Sequence, residues 1–163
     1  MKFKGEIEVK SSFVGDWLVL HKDGEHIKDF EFEGLVIGYE LEVVHQDDKD
    51  KDVVYLADKN GKIWKTSTGQ IYGPIKLALK TQSIHYGDIV VIRYTGKKKI
   101  TDAHGVRYLN TYDIKFYSAK ANPDFATPIL EKIKDQVPPE QRARWIHTYN
   151  ELANVDVSDK PPF

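Results

Sequence analysis

Alternating hydrophobic and polar positions predict β-strands through most of residues 13–118. The clearest case is residues 35–44, where every second side chain is apolar and the positions between include glycine and glutamate. Asn60-Gly61, between two apolar runs, is a strong signal for a hairpin with a two-residue turn. The pattern predicts five core strands, at residues 35–44, 53–58, 62–67, 89–95 and 108–117.

A short helix is predicted at residues 74–80, between the third and the fourth strand, with Pro74 in its first turn. Residues 96–106 are rich in lysine and glycine, and we interpret them as a basic loop between the last two strands. Five strands with a helix between the third and the fourth is the order of the OB fold. We therefore expect a mainly β protein with a five-stranded OB-type barrel and an N-terminal β extension that begins near residue 13.

The composition changes after residue 119, where the strand pattern gives way to helix signals. Thr127 would cap a helix over 128–136, and a second helix would run to about residue 153. The second helix carries an apolar stripe that would pack on the barrel or join two protomers, formed by Trp145, Tyr149 and Leu152. The chain thus divides into an OB-fold domain at 1–120 with its core at about 34–118, a helical extension at 121–155 and a tail at 156–163.

The net charge of −1 conceals a strong polarity along the chain. Residues 59–120 contain twelve basic and three acidic side chains, a net charge of +9, whereas the rest of the chain carries −10. A concentrated positive segment is typical of proteins that bind a polyanion such as nucleic acid. The alternative interpretation is a set of lysines scattered over a solvated surface.

The sequence has no motif of a catalytic, metal or cofactor site. It has no cysteine, no two histidines three or four residues apart, no nucleophile elbow and no P-loop. We therefore expect no catalytic residue, no metal and no cofactor. The chain also has no apolar run of about 18 residues and no signal-peptide pattern at its start, so we expect a cytoplasmic protein without a membrane partner.

The predicted hairpin is the first candidate binding surface. A two-residue turn would pair Ala57 with Trp64 and would place Tyr55, Lys62 and Trp64 on one outward face. Unpaired bases stack on such exposed aromatic rings, and neighbouring lysines contact the phosphates. In the alternative arrangement, Tyr55 and Trp64 lie in the core.

The basic loop is the second candidate, because the loop between the fourth and fifth strands borders the ligand groove of OB folds. Its lysines repel one another and would stay solvated and available to phosphates. The candidate phosphate-binding residues in and beside this loop are Lys97, Lys98, Lys99 and Arg107. Three further DNA-binding candidates lie on the flanking strands, namely Arg93, Tyr94 and Lys115.

The last eight residues form an acidic, proline-containing segment that ends in phenylalanine. An apolar ring beside a free carboxylate would suit a pocket on a partner protein. The segment would alternatively occupy the basic groove of its own chain until DNA displaces it. The candidate partner-binding residues are Asp156, Asp159, Pro161, Pro162 and Phe163.

One stretch of the sequence combines four motifs, namely a Gly87-Asp88 turn, an apolar run that ends in Arg93-Tyr94, a Gly-Lys-Lys segment and the aromatic strand at 108–116. In this combination the chain resembles the phage-type single-stranded DNA-binding proteins, which have an OB fold. The resemblance covers about residues 34–118 and implies a protein that coats and protects single-stranded DNA in replication, recombination or repair, without sequence specificity. If the chain is viral, the compartment is the host cytoplasm. The Pro-Pro-Phe ending is similar to tails in this family that recruit replication and repair partners, although only two acids precede it here.

Two other functions fit the same residues. An RNA-binding OB module would use the same stacking and phosphate contacts, and only contacts to the 2′-hydroxyl would distinguish it. A protein-interaction module, or a structural phage component, would use the barrel to bind protein. Displacement of the bound partner by salt would favour nucleic acid over protein.

Overall fold

A computed structural model describes residues 2–5, 13–44 and 50–138, without the side chains of 40–44, 50 and 51. The described strands are β1 (Asp16–Trp17), β2 (His21–Lys22), β3 (Glu25–His26), β4 (Glu31–Val44), β5 (Asp50–Asp58), β6 (Ile63–Thr66), β7 (Ile89–Asp102) and β8 (Gly105–Tyr117). The helices are α1 (Gly69–Lys80) and α2 (Pro123–Ile133), and a short 3-10 turn follows at Lys134–Gln136. The predicted mainly β fold is confirmed.

Six of the strands form one sheet in the order β1-β6-β5-β4-β7-β8, and β2 and β3 form a separate two-stranded sheet. Strand β4 lies at the centre, because it pairs with β5 along most of its length and with β7 over its first five residues. Gly34 and Leu35 pair with both neighbours. The five predicted core strands are therefore present, and α1 lies between the third and the fourth of them.

No strand pair in the described part of the chain joins β6 to β8, so the sheet is not seen to close into a barrel. The short strand β1 pairs in parallel with β6 instead and extends the sheet on that side. This strand belongs to the predicted N-terminal β extension, and so does the β2–β3 sheet.

The core lies on both faces of β4. Leu35, Val36 and Ile37 are all fully buried, although consecutive residues of a strand point to opposite faces. Helix α2 covers part of β4 and β5, and α1 packs against β5 and β8. Lys76 anchors α1, because its Nζ atom lies 2.8 Å from the Asp52 carboxylate on β5.

Both helices begin earlier in the chain than predicted. Helix α1 starts at Gly69 and includes Pro74 in its interior. Helix α2 starts at Pro123, so the predicted start at Thr127 is wrong and Pro128 lies inside the helix. Pro123 is the first residue of the helix, a position where a missing amide proton costs no hydrogen bond, and the Asn122 carbonyl oxygen accepts from the amides of Phe125 and Ala126.

The remaining C-terminal predictions lie outside the described residues. They comprise the helix that contains Trp145, Tyr149 and Leu152 and the tail at 156–163. Within the described ranges, neither helix has the length and apolar character needed to cross a membrane.

Candidate nucleic-acid interface

The turn between β5 and β6 differs from the predicted two-residue hairpin. The Asp58 amide donates to the Lys62 carbonyl oxygen, and the Gly61 amide donates to the Asp58 carbonyl oxygen. Gly61 has a φ of 80°, so the connection is a three-residue turn whose last residue is left-handed. Ala57 consequently pairs with Ile63, and the predicted pairing of Ala57 with Trp64 is wrong.

This shift of one residue changes which side chains share a face. Tyr55 now pairs with Lys65, and Trp64 pairs with Leu56. The Tyr55 ring is buried in the core, 5.5 Å from the ring of Phe13 between centroids. The expected exposed platform of Tyr55 and Trp64 is therefore wrong, because the two side chains lie on opposite faces of the sheet and Phe13 packs against Tyr55.

Trp64 is half-buried and held by its neighbours. Its indole N–H donates to the Asp58 carboxylate at 3.0 Å, and the Lys62 ammonium lies 4.1 Å from the ring centroid. We call this region the Trp64 corner and define it by six residues, Asp16, Glu33, Asp58, Lys59, Lys62 and Trp64.

Both lysines of the Trp64 corner have carboxylate partners. Lys62 lies 3.2 Å from Asp16, and Lys59 lies 2.9 Å from Glu33. The hydrogen bond to Glu33 also raises the pKa of Lys59. An adjoining cavity of about 570 Å³ is lined by Glu31 as well as Glu33 and Asp58. The predicted phosphate ligand Lys62 thus lies among carboxylates and has Asp16 as its ion-pair partner.

Strands β7 and β8 extend through the segment that was expected to be a basic loop. They stay paired from Ile89 opposite Tyr117 to Asp102 opposite Gly105, so the loop prediction for 96–106 is wrong. A bulge between Tyr94 and Gly96 bends the pair at the point where it leaves the core. We call residues 96–111, the outer half of this hairpin, the arm.

Cross-strand pairing determines which arm residues share a face. Lys97 pairs with Asn110 and Lys99 pairs with Tyr108, which places these four side chains on one face. The Tyr108 side chain is 62% exposed, and it is the aromatic residue that lies beside two lysines on this face. Lys98 pairs with Leu109 on the opposite face, which also carries Arg107.

The arm lysines differ from those of the Trp64 corner in their partners. Lys97, Lys98 and Lys99 are exposed, and none of them forms an ion pair with any residue in the described ranges. Arg107 lies 3.0 Å from Asp102 at the arm tip. Two of the candidates on the flanking strands share one acid. Arg93 lies 3.7 Å from Asp113, and Lys115 lies 3.9 Å from it.

Tyr94 belongs to an aromatic cluster at the base of the arm. The His26 ring stacks on it at 3.7 Å, and the Tyr94 hydroxyl donates to the Asn110 side-chain oxygen at 2.9 Å. His26 Nδ1 lies 2.8 Å from the Ile27 carbonyl oxygen and His26 Nε2 lies 2.6 Å from the Tyr112 hydroxyl. Because a carbonyl oxygen can only accept, Nδ1 donates to it, and in the tautomer with its proton on Nδ1 the ring accepts from Tyr112 at Nε2. Burial, followed by the neighbouring Tyr94, raises the pKa of Tyr112 to about 12.

Sequence analysis missed Tyr108 as a candidate site residue. Its position beside Lys97 and Lys99 follows only when the residues on both sides of the turn form paired strands. In a loop, successive side chains do not alternate between two faces. A signal was present at the turn, where Asp102 accepts a hydrogen bond from the His104 amide and Gly105 has a φ of 104°. An aspartate followed three residues later by glycine is typical of a tight turn between paired strands.

Within the described ranges, no three histidine, aspartate or glutamate side chains group together as metal ligands would. Comparisons of the chain with protein-family models, with curated proteins and with solved structures give no match. The geometry and charge of the chain's own residues are therefore the basis for assigning a function.

Proposed function

We propose that this protein binds single-stranded DNA without sequence specificity and that the arm is its principal contact surface. The observation that carries the proposal is that Lys97, Lys98 and Lys99 are exposed and have no ion-pair partner in the described ranges, and that the exposed ring of Tyr108 lies beside Lys97 and Lys99 on one face of the arm. The lysines would neutralise phosphates, and Tyr108 would stack on a base. Binding of this kind needs no catalytic residue, metal or cofactor.

The strand order supports an OB-type fold for this function. The central strand β4 pairs with both the second and the fourth core strand, and α1 follows the third. In OB folds, the connection between the last two strands borders the bound oligonucleotide, and here that connection is the arm. The resemblance to phage-type single-stranded DNA-binding proteins agrees with a cytoplasmic role in DNA replication, recombination or repair.

A single strand suits the arm better than a duplex. A two-stranded ribbon that exposes cations on both faces can follow a flexible backbone, and one exposed ring can stack only on a base that is not already paired. Under this proposal, the tail residues Asp156, Asp159, Pro161, Pro162 and Phe163 would recruit replication or recombination proteins.

The experiment is fluorescence anisotropy with labelled oligo-dT, a duplex DNA of equal length and a single-stranded RNA of equal length. We expect the tightest binding to oligo-dT, and we expect the affinity to fall as salt is raised. Preference for the RNA would favour an RNA-binding module. Absence of binding to all three would contradict the proposal and would make the arm a protein-docking surface.

A further inference from the structure

A groove lies between the β2–β3 sheet and the base of the arm. Its volume is about 470 Å³, and two separate segments of the chain line it. One segment supplies Glu25, His26 and Lys28, and the other supplies Tyr94, Thr95, Gly96 and Lys97. We call this cavity the arm-base groove. Its first wall comes from the N-terminal extension, and its second wall comes from the arm.

The N-terminal wall is held at two points. The β2–β3 sheet is separate from the main sheet, but the chain that leaves it pairs with β7 at once, since the Tyr94 amide donates to the Phe30 carbonyl oxygen and Glu31 pairs with Arg93. At the β3 end, His26 stacks on Tyr94, and its Nε2 atom lies 2.6 Å from the Tyr112 hydroxyl. Lys28 lies between these two points, and both contribute to its position relative to Lys97.

The lining of the arm-base groove indicates a backbone rather than a base as its ligand. Tyr94 has one face of its ring covered by His26, and its hydroxyl already donates to Asn110. Thr95 exchanges a hydrogen bond with Thr111 at 2.8 Å. Lys28 and Lys97 are exposed, one on each wall, and within the described ranges neither forms an ion pair. Two cations from different segments match the spaced negative charges of a phosphodiester chain.

We propose that the arm-base groove holds the sugar-phosphate backbone of the bound single strand, with Lys28 and Lys97 each contacting a phosphate. His26 is a positioning residue of this site, since it holds the β3 end of the wall that carries Lys28. The inference rests on the proposed function, and it adds the N-terminal extension to the binding surface. The bound strand would then run from the arm-base groove along the arm towards Tyr108.

The test compares two charge reversals on the same part of the chain, Lys28→Glu and Lys22→Glu. Both change the net charge equally, but Lys22 is an exposed residue of β2 that does not line the groove. We expect K28E to weaken oligo-dT binding by about tenfold and to lower the salt slope by about 0.7, the value for one phosphate on a single strand. We expect K22E to change the affinity by less than about threefold.

A second variant, His26→Ala, tests the positioning role. Adding K28E to H26A should weaken binding by less than about threefold, because the wall that carries Lys28 is no longer held at its β3 end. If the affinity losses of H26A and K28E are fully additive, the positioning role of His26 is contradicted. If K28E and K22E lower the affinity equally, the groove proposal is overturned. If K28E has no effect but the triple variant K97E/K98E/K99E loses binding, only this inference fails. If the triple variant also binds normally, the proposed function fails.

Discussion

The Trp64 corner and the arm both place lysine beside an aromatic ring, but they differ in what the lysines contact. In the Trp64 corner, Lys59 and Lys62 face Glu33 and Asp16, and the indole N–H is bonded to Asp58. In the arm, Lys97, Lys98 and Lys99 have no such partners in the described ranges. The carboxylates beside the lysines lower the attraction for a phosphate in the Trp64 corner, and the lysines of the arm lack such partners in the described ranges.

The same comparison separates two groups of lysines within the positive segment at 59–120. Lys59 and Lys62 are paired with acids from β1 and β4, which lie in the acidic remainder of the sequence. Lys97, Lys98 and Lys99 lie on the β7–β8 hairpin and have no ion-pair partner in the described ranges. The net positive charge of residues 59–120 therefore overstates the positive charge that a ligand would meet near Trp64. The same count agrees with the lysines of the arm, which are unpaired within the described ranges.

The largest expected effect comes from reversing charge in the arm rather than in the Trp64 corner. We expect K97E/K98E/K99E to weaken oligo-dT binding by about 100-fold or more, because three attractions become repulsions. The double reversal K59E/K62E, which changes the net charge by two-thirds as much, should weaken it by less than about threefold. Anisotropy titrations at one salt concentration measure both, and similar losses in the two regions would contradict the distinction between them.

A smaller effect is expected from removing the exposed ring of the arm. Tyr108→Ala should weaken oligo-dT binding by about tenfold, because stacking of one base contributes ~1–3 kcal/mol. Tyr108→Phe is the control, since it keeps the ring and should bind within about threefold of the original protein. Equal losses in the two variants would show that the hydroxyl, rather than the ring, makes the contact.

In the Trp64 corner, we expect a loss of stability without a loss of binding. Trp64→Phe removes the hydrogen bond to Asp58 and part of the packed ring, which should lower the free energy of unfolding by about 1–2 kcal/mol. Urea denaturation measures this change. A large drop in oligo-dT affinity at unchanged stability would instead assign the binding site to this corner.

The smallest effect concerns pH at the base of the arm. Tyr112 has a folded-state pKa of about 12 against an ordinary value of 10.0. Between these values the unfolded chain loses this proton while the folded protein keeps it, so stability falls as pH rises. Tyr112→Phe should lose less stability between pH 10 and 12 than the original protein. Burial also raises the pKa of Tyr39, so part of the alkaline loss should remain.

The alternation pattern was sufficient to predict the five core strands and the helix between the third and the fourth. It was not sufficient for the β5–β6 register. Asn60-Gly61 is compatible with a two-residue turn and with the three-residue turn that is observed, and both need a left-handed Gly61. Because the two turns differ by one residue in register, Trp64 lies on the face opposite Tyr55 instead of beside it, and the burial of Tyr55 against Phe13 is a tertiary contact that the local pattern does not specify.

The arm and its groove depend on contacts that local sequence does not specify. Polar composition favoured a loop for residues 96–106, but pairing with β8 and the hydrogen bond of Thr111 to the Gly96 carbonyl keep the chain extended there. The contact between His26 and Tyr112 spans 86 positions, and the Tyr94 amide bonds to the Phe30 carbonyl oxygen, so Lys28 is brought beside the arm by contacts between distant residues. Tertiary pairing of this kind outweighs local propensity.

The most direct test of the arm as the binding surface is the salt dependence of oligo-dT affinity, measured for the original protein and for K97A/K98A/K99A. The slope of log affinity against log salt counts the phosphates that the protein neutralises, about 0.7 for each on a single strand. If the three arm lysines contact phosphates, the slope should fall by about 2 in the triple variant. An unchanged slope would mean that these lysines do not contact the phosphates, and it would contradict the account.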